Sequence, residues 1–250
     1  SQIKEWDIFA IRDGQNIGMT RGDGSPVLFC KKEHRQIKPR NKTPVEEAES
    51  CIHNARGGGN MDSAAEQMFF SAVCKALKNE DAEIRGLCTS SGSLYSKQHN
   101  GICCLYETTM VYLVLKQLMR DHFSYELWWE CPYPNNPALK ADLAVLENNP
   151  ERSINSLVEF KIWISENGDE VKGDVAKYNQ SGFTSDKYLC VVEYGGSNIQ
   201  ANLAYLIKSN PELRLVSNNT WATFSTRFFD SHTTGRLVDK PINLYFFKLK

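Results

Sequence analysis

The chain has 250 residues, 29 Lys and Arg against 30 Asp and Glu, and a formal net charge of −1. It is therefore no polycation, and contact with a nucleic acid would need a local basic patch. Hydrophobic residues make up 41%, enough for a sizeable core in one large domain or two small ones. No apolar run approaches the roughly 18 residues of a membrane span, and no leader is visible. The expectation is a cytoplasmic protein with no membrane partner.

Eight cysteines include no Cys-x-x-Cys pair. Several lie in apolar strand or helix patterns, as buried thiols do, which points to a reducing compartment. Cys51 with His53, and Cys88 with His99 and Cys103, fit no strong zinc motif.

Residues 5–11 and 26–30 read as short strands separated by glycine turns. Residues 31–42 carry six Lys or Arg and His34, which suits a phosphate-contacting arm or a solvated loop. Thr43-Pro44-Val45-Glu46 has the form of a capping box, and a helix is expected to about Ala55. The glycines at 57–59 lack the Gly-Lys-Ser/Thr of a phosphate-binding loop and read as a connector. Ser63-Ala64-Ala65-Glu66 is a second capping box, which makes Glu66 a cap. Met68, Phe69, Ala72, Val73, Ala76 and Leu77 follow as a helical stripe. Residues 86–101 are rich in Gly, Ser and Asn and read as a loop.

A helix is expected from Ile102 to Asp121. Glu107, Val111, Val114 and Leu118 share one face, so a carboxylate opens an apolar stripe. Alternation from Tyr125 to Cys131 gives a strand, which Pro132 to Pro137 should terminate. Lys140–Leu146 and Leu157–Ile164 read as two more strands around the turn Asn148-Asn149-Pro150. A helix starts near Asp169, with Val171, Val175 and Tyr178 on one face. In that helix Lys172 and Lys177 either reach a phosphate backbone or sit on the surface, and Gln180 lies near its end. Lys187–Tyr194 is a continuous apolar strand suited to a parallel pair. A helix from Ile199 stops at Asn210-Pro211. Leu213–Val216, the aromatic run Trp221–Phe229 with Arg227, and Ile242–Leu249 complete the strands. The aromatic run suits core packing or base stacking. His232 stands alone in a polar loop, and no Gly-x-Ser-x-Gly elbow is present.

Side chains alternate along a strand. Asp142 therefore shares a face with Lys140 and Ala144, and Glu159 shares one with Lys161 and Trp163. Val158, Phe160, Ile162 and Ile164 take the opposite, apolar face. Paired strands would gather Asp142, Glu159 and Lys161 on one side of a sheet. Two carboxylates and a lysine can hold a hard divalent cation that acidifies water and offsets phosphate charge.

Asp142 followed by Glu159-Phe160-Lys161 resembles the signature of the PD-(D/E)XK nuclease superfamily, an Asp and then Glu-x-Lys in the next strand. Ala141 stands where the motif has proline; the nearest upstream proline is Pro137. The resemblance covers residues 102–207. It implies an α/β fold with a restriction-endonuclease-like αβββαβ core, a central mixed sheet flanked by helices, and an N-terminal extension. Residues 1–100 would form that extension, packed on the core or contacting DNA, and 101–250 the nuclease-like core with its C-terminal strands. Magnesium, or manganese, would be held by Asp142, Glu159 and the Phe160 carbonyl. Lys161 would position the attacking water, and Glu107 would hold a second metal or bridge through water. The implied activity is hydrolysis of DNA phosphodiester bonds by a type II restriction, repair or mobile-element nuclease. Duplex DNA is a better fit than RNA, and a homodimer is compatible. The competing reading is a non-catalytic nucleic-acid-binding or protein-interaction module.

Overall fold

A computed structural model describes residues 60–90, 101–133, 136–148, 152–164, 169–180, 183–196, 198–230 and 236–250. The expected strands and helix before residue 56, the basic stretch 31–42, and His232 lie outside these residues. So do Cys51, His53 and His99.

The central strands are the most apolar ones. β3 (Ile154–Ile164) and β4 (Asp186–Tyr194) run parallel, with Ser156 opposite Asp186 and Ile164 opposite Tyr194. Both are buried along most of their length, as expected of a parallel pair covered on both faces. β1 (Glu126–Tyr133) and β2 (Asn136–Leu146) form a hairpin on one side. β7 (Arg236–Leu249) lies antiparallel to β4 on the other. β5 (Leu213–Leu215) and β6 (Trp221–Asp230) share the far side of β7. Among the described residues the result is a mixed, open, seven-stranded sheet in the order β1-β2-β3-β4-β7-β5, with β6 also paired to β7.

Among the described residues, two helices cover each face. α1 (Ser63–Ser90) and α2 (Glu107–Arg120) bury Phe69, Leu77, Val111 and Leu118 against Val158, Phe160, Val192 and Phe246. α3 (Asp169–Asn179) and α4 (Ile199–Ser209) bury Val175, Tyr178 and Leu206 against Leu157, Trp163, Val191 and Tyr245. The alternation expected for β3 holds. Val158, Phe160 and Ile162 face the first layer and Trp163 the second, while Ile164 at the strand end is exposed. From α2 to α4 the order is α, β, β, β, α, β, α, as the sequence pattern predicts.

Several local expectations give way. Asp62, not Ser63, caps α1. Its Oδ1 accepts the Ala65 amide at 2.7 Å, while Glu66 accepts the Tyr188 hydroxyl at 2.6 Å and so ties α1 to β4. α1 continues through Gly86 to Ser90, where a loop was expected. The helix expected from Ile102 divides into a 3-10 turn, Gly101–Cys104, and α2 from Glu107. Gly101 opens that turn at φ +52°, and a Cβ there would collide with Asp81 and Thr226; this position requires glycine. Pro132 and Pro137 do not stop the strands. Pro132 pairs with Lys140 on edge strand β1, next to a register shift and a positive φ at Glu130. Edge strands and bulges are where a sheet admits proline.

Among the described residues, no helix is long and apolar enough to cross a membrane. Cys74, Cys103 and Cys190 are free thiols. Burial pushes the Cys74 thiol up to about 11 and the Cys103 thiol up to about 12, which suits inert packing rather than reactivity.

Candidate active site

The site begins with a break in the sheet. β2 and β3 pair from Leu143–Val158 to Leu146–Ile154. Beyond Leu143, β2 stays with β1, where Ala141 faces Cys131, and leaves β3. The second half of β3 keeps β4 on one side and an opened gap on the other. Buried backbone amides need partners. Two carboxylates supply them. Asp142 Oδ2 accepts the Phe160 amide at 2.7 Å, and Glu107 Oε1 accepts the Ile162 amide at 2.7 Å. The side chains of β2 and α2 thus stand in for the strand that has moved away. Glu107 can do this because it is the first residue of α2, a position where the helix dipole favours a carboxylate.

Asp142 lies just past the last β2–β3 pair, Leu143 with Val158, and its carboxyl and that of Glu159 act on each other on the face covered by α3. Glu159 is 2% exposed. Its Oε1 accepts the Tyr133 hydroxyl at 2.7 Å and lies 2.6 Å from Lys177 Nζ. Lys177 also sits over the Tyr133 ring, 5.6 Å from its centre. Lys161 Nζ lies between Glu107 Oε1 at 3.3 Å and Asp174 Oδ2 at 3.6 Å. The second distance is an ion-pair contact and too long for a hydrogen bond. Asp174 Oδ2 is therefore buried with no hydrogen-bond partner.

Four carboxylates and two lysines meet here, an excess of two negative charges when all are ionised. The proton affinities reflect this. Burial, opposed by the Phe160 amide and Lys177, pushes Asp142 up to about 6. Burial and the neighbouring Asp142 push Glu159 up to about 8, against the pull of Lys177 and Tyr133. Burial also raises Asp174, with Lys161 and Lys177 opposing and Glu107 adding to the rise. Burial first, then Glu159, holds the Tyr133 phenol far above its ordinary value. Neighbouring, partly buried acids titrate as a set, and clusters of such groups mark candidate functional sites.

The donor set suits a hard divalent ion. Asp142 and Glu159 offer carboxylate oxygens. The Phe160 carbonyl faces the gap with its amide, because a strand residue sends both groups to the same side. Asp174 adds a buried oxygen that lacks a hydrogen bond. Oxygen-only sets with room for water match magnesium or manganese. Among the described residues, no three His, Cys, Asp or Glu side chains form a ready-made metal cage. Lys177 and Tyr133 already engage Glu159 where such a cage would need its oxygen.

The structure brings Glu107, Asp142, Glu159 and Lys161 together and adds Tyr133, Asp174 and Lys177. Lys177 is a member of the cluster rather than a surface lysine, whereas Lys172, Gln180 and Arg227 are exposed. Trp221 and Phe224 are half-buried against the two cores. Asp174 carried a readable signal, since it lies three residues after Val171 and four before Tyr178 on a stripe of buried side chains. Tyr133 carried none, because its place follows from the continuation of β1 past Pro132.

The fold and the site together define a mixed α/β protein with a half-buried acid–lysine cluster where two strands part. Searches of protein-family models, curated proteins and solved structures find no match for this chain.

Proposed function

We propose that this protein is a metal-dependent nuclease of the PD-(D/E)XK type that hydrolyses DNA phosphodiester bonds on a restriction-endonuclease-like fold. The observation that carries this reading is that Asp142 and Glu159 act on each other where β2 and β3 part, and that Glu107 of α2 reaches both the Ile162 amide and Lys161 there. Asp142, Glu159 and the Phe160 carbonyl would hold magnesium or manganese. When bound, such an ion acidifies a water and offsets charge on the phosphate. Lys161 is held between Glu107 and Asp174, so its ammonium is presented in one place. There it orients the attacking water and counters the charge that grows on the phosphate oxygens as the P–O bond to the leaving strand breaks. Glu107 anchors both Lys161 and the Ile162 amide, which sets the height of the lysine in the gap. Glu107 is the candidate for a second metal or a water bridge. The burial that raises the affinity of Asp142 and Glu159 for protons also raises their affinity for a cation that can displace them.

The test is magnesium-dependent cleavage of plasmid DNA, with EDTA and Asp142→Asn as controls. Asparagine can keep the hydrogen bond to the Phe160 amide while losing the charge. Metal-dependent fragments that vanish in the variant support the reading. Full activity in Asp142→Asn sinks it. Absence of cleavage on every DNA and RNA substrate favours the binding-module reading, in which the paired acids and lysines only tie α3 to the sheet.

A further inference from the structure

Resting on that reading, we propose that Lys177 is a built-in stand-in for the cation. Its ammonium lies against Glu159 and would move to the substrate phosphate when a divalent ion takes the carboxylates. Lys177 Nζ is 2.6 Å from Glu159 Oε1, and Glu159 is one of the two acids that would grip the ion. The two cannot share that oxygen unchanged, since a lysine ammonium and a divalent cation repel one another at contact distance.

The two lysines of the cluster are built differently. Lys161 is fixed in the middle of β3, where Lys161 lies opposite Val191, and two acids flank its ammonium. Lys177 is in the last turn of α3, at the end of a four-carbon stem. Its ion-pair contact is with Glu159, while Asp142 and Asp174 act on it from farther off; its side chain is about as exposed as that of Lys161, 23% against 20%. In that same position Lys177 lies over the Tyr133 ring, 5.6 Å from its centre, and an aromatic face stabilises a cation after its carboxylate is taken. The charge balance favours displacement over loss. With every group ionised, four acids and two lysines leave two negative charges, which a divalent ion that displaces the acids' protons balances with both lysines still charged. Lys177 would then remain in the gap with its charge free for a phosphate oxygen. Its position would report whether the metal is bound before any substrate arrives.

The experiment is amine labelling of the intact protein with N-hydroxysuccinimide acetate at fixed pH, read residue by residue by mass spectrometry, without and with manganese. Calorimetry follows manganese binding in parallel. Labelling of Lys177 should rise about fivefold with manganese, the size expected when a partly buried ion pair is given up, while Lys161 stays protected. In Asp142→Asn the rise should disappear. If manganese binds and the labelling of Lys177 does not change, the displacement is wrong and the nuclease reading stands. A rise that persists in Asp142→Asn also overturns the displacement. If calorimetry shows no manganese binding to the wild type, both readings fail.

Discussion

Glu159 and Glu193 are buried glutamates on the same face of neighbouring strands, and the protein satisfies them in opposite ways. Glu193 is fully buried on β4. It receives Asn243 Nδ2 at 2.8 Å, the Tyr245 hydroxyl at 2.7 Å, and the amide of Asn202. All three donors are neutral, and none can be exchanged without rebuilding β7 or α4. Gly196 packs so closely that a Cβ there would strike the carboxylate. Glu159 instead has another acid beside it, a lysine at 2.6 Å and a phenol at 2.7 Å. Neutral donors fix a carboxylate in place. Charged neighbours that can move leave it ready to bind something else. The difference separates an acid that holds the fold from one that is poised for chemistry.

The largest expected effect is on cleavage. Lys161→Met should lower the rate by about 10²- to 10⁴-fold, the range for losing a positioned charge or proton-transfer group, while circular dichroism and thermal melting stay near wild type. Glu193→Gln should leave cleavage within a few-fold, because the site does not include it. A variant pattern with these roles exchanged would break the comparison. The next effect is on stability. Glu193→Ala strands three donors and opens a void, and should cost about 3 kcal/mol as read by urea unfolding. A loss below about 1 kcal/mol would mean that water replaces the carboxylate.

How much of this could be read from the chain depends on the range of the interactions. The strands of the site were legible because Leu157–Ile164 and Lys187–Tyr194 are β-branched and apolar, and the Glu-x-Lys spacing places both charges on one face whatever the tertiary setting. Glu107 was legible as a carboxylate at the start of an apolar helical stripe. The parting of β2 from β3 was not. It depends on Pro132 and Pro137 being absorbed at the sheet edge, so that the hairpin runs on and swings away. Tyr133 became visible only with that continuation. The Ser63–Glu66 box misled because the helix is capped one residue earlier, with the Asp62 carbonyl taking the Glu66 amide and its side chain the Ala65 amide, and Tyr188 claims Glu66 from more than a hundred residues away.

The acid pair sharpens the comparison through pH. In the metal-free protein, Asp142 and Glu159 hold their protons to about 6 and about 8, above their ordinary 3.8 and 4.5. Between those limits the folded chain binds more protons than the unfolded one, so stability falls as pH rises. The contribution is fully present below about pH 4 and is lost by about pH 8. For a coupled pair the loss should be on the order of 2 kcal/mol. Urea titrations in EDTA from pH 5 to 9 measure it. The slope should flatten in Glu159→Gln, which carries no ionisable group. An unchanged slope in that variant would place the titration elsewhere.

The smallest effect isolates one hydrogen bond. Tyr133→Phe keeps the ring over which Lys177 lies and removes only the hydroxyl given to Glu159. A hydrogen bond to a carboxylate contributes about 1.5 kcal/mol net at the low end of its range, and that is the expected loss in urea unfolding. The second consequence has a definite sign. The phenol helps to stabilise the ionised Glu159, so its removal should move the pH-dependent loss of stability to higher pH. Lys177 remains as the main counter-charge, and its labelling response to manganese should persist. If Tyr133→Phe abolished that response, Lys177 would depend on the phenol for its position, and Tyr133 would belong to the device rather than to its support. If stability and pH profile both stayed at wild type, another donor would have taken the Glu159 oxygen. Glu159 would then resemble Glu193 more closely than the present geometry says.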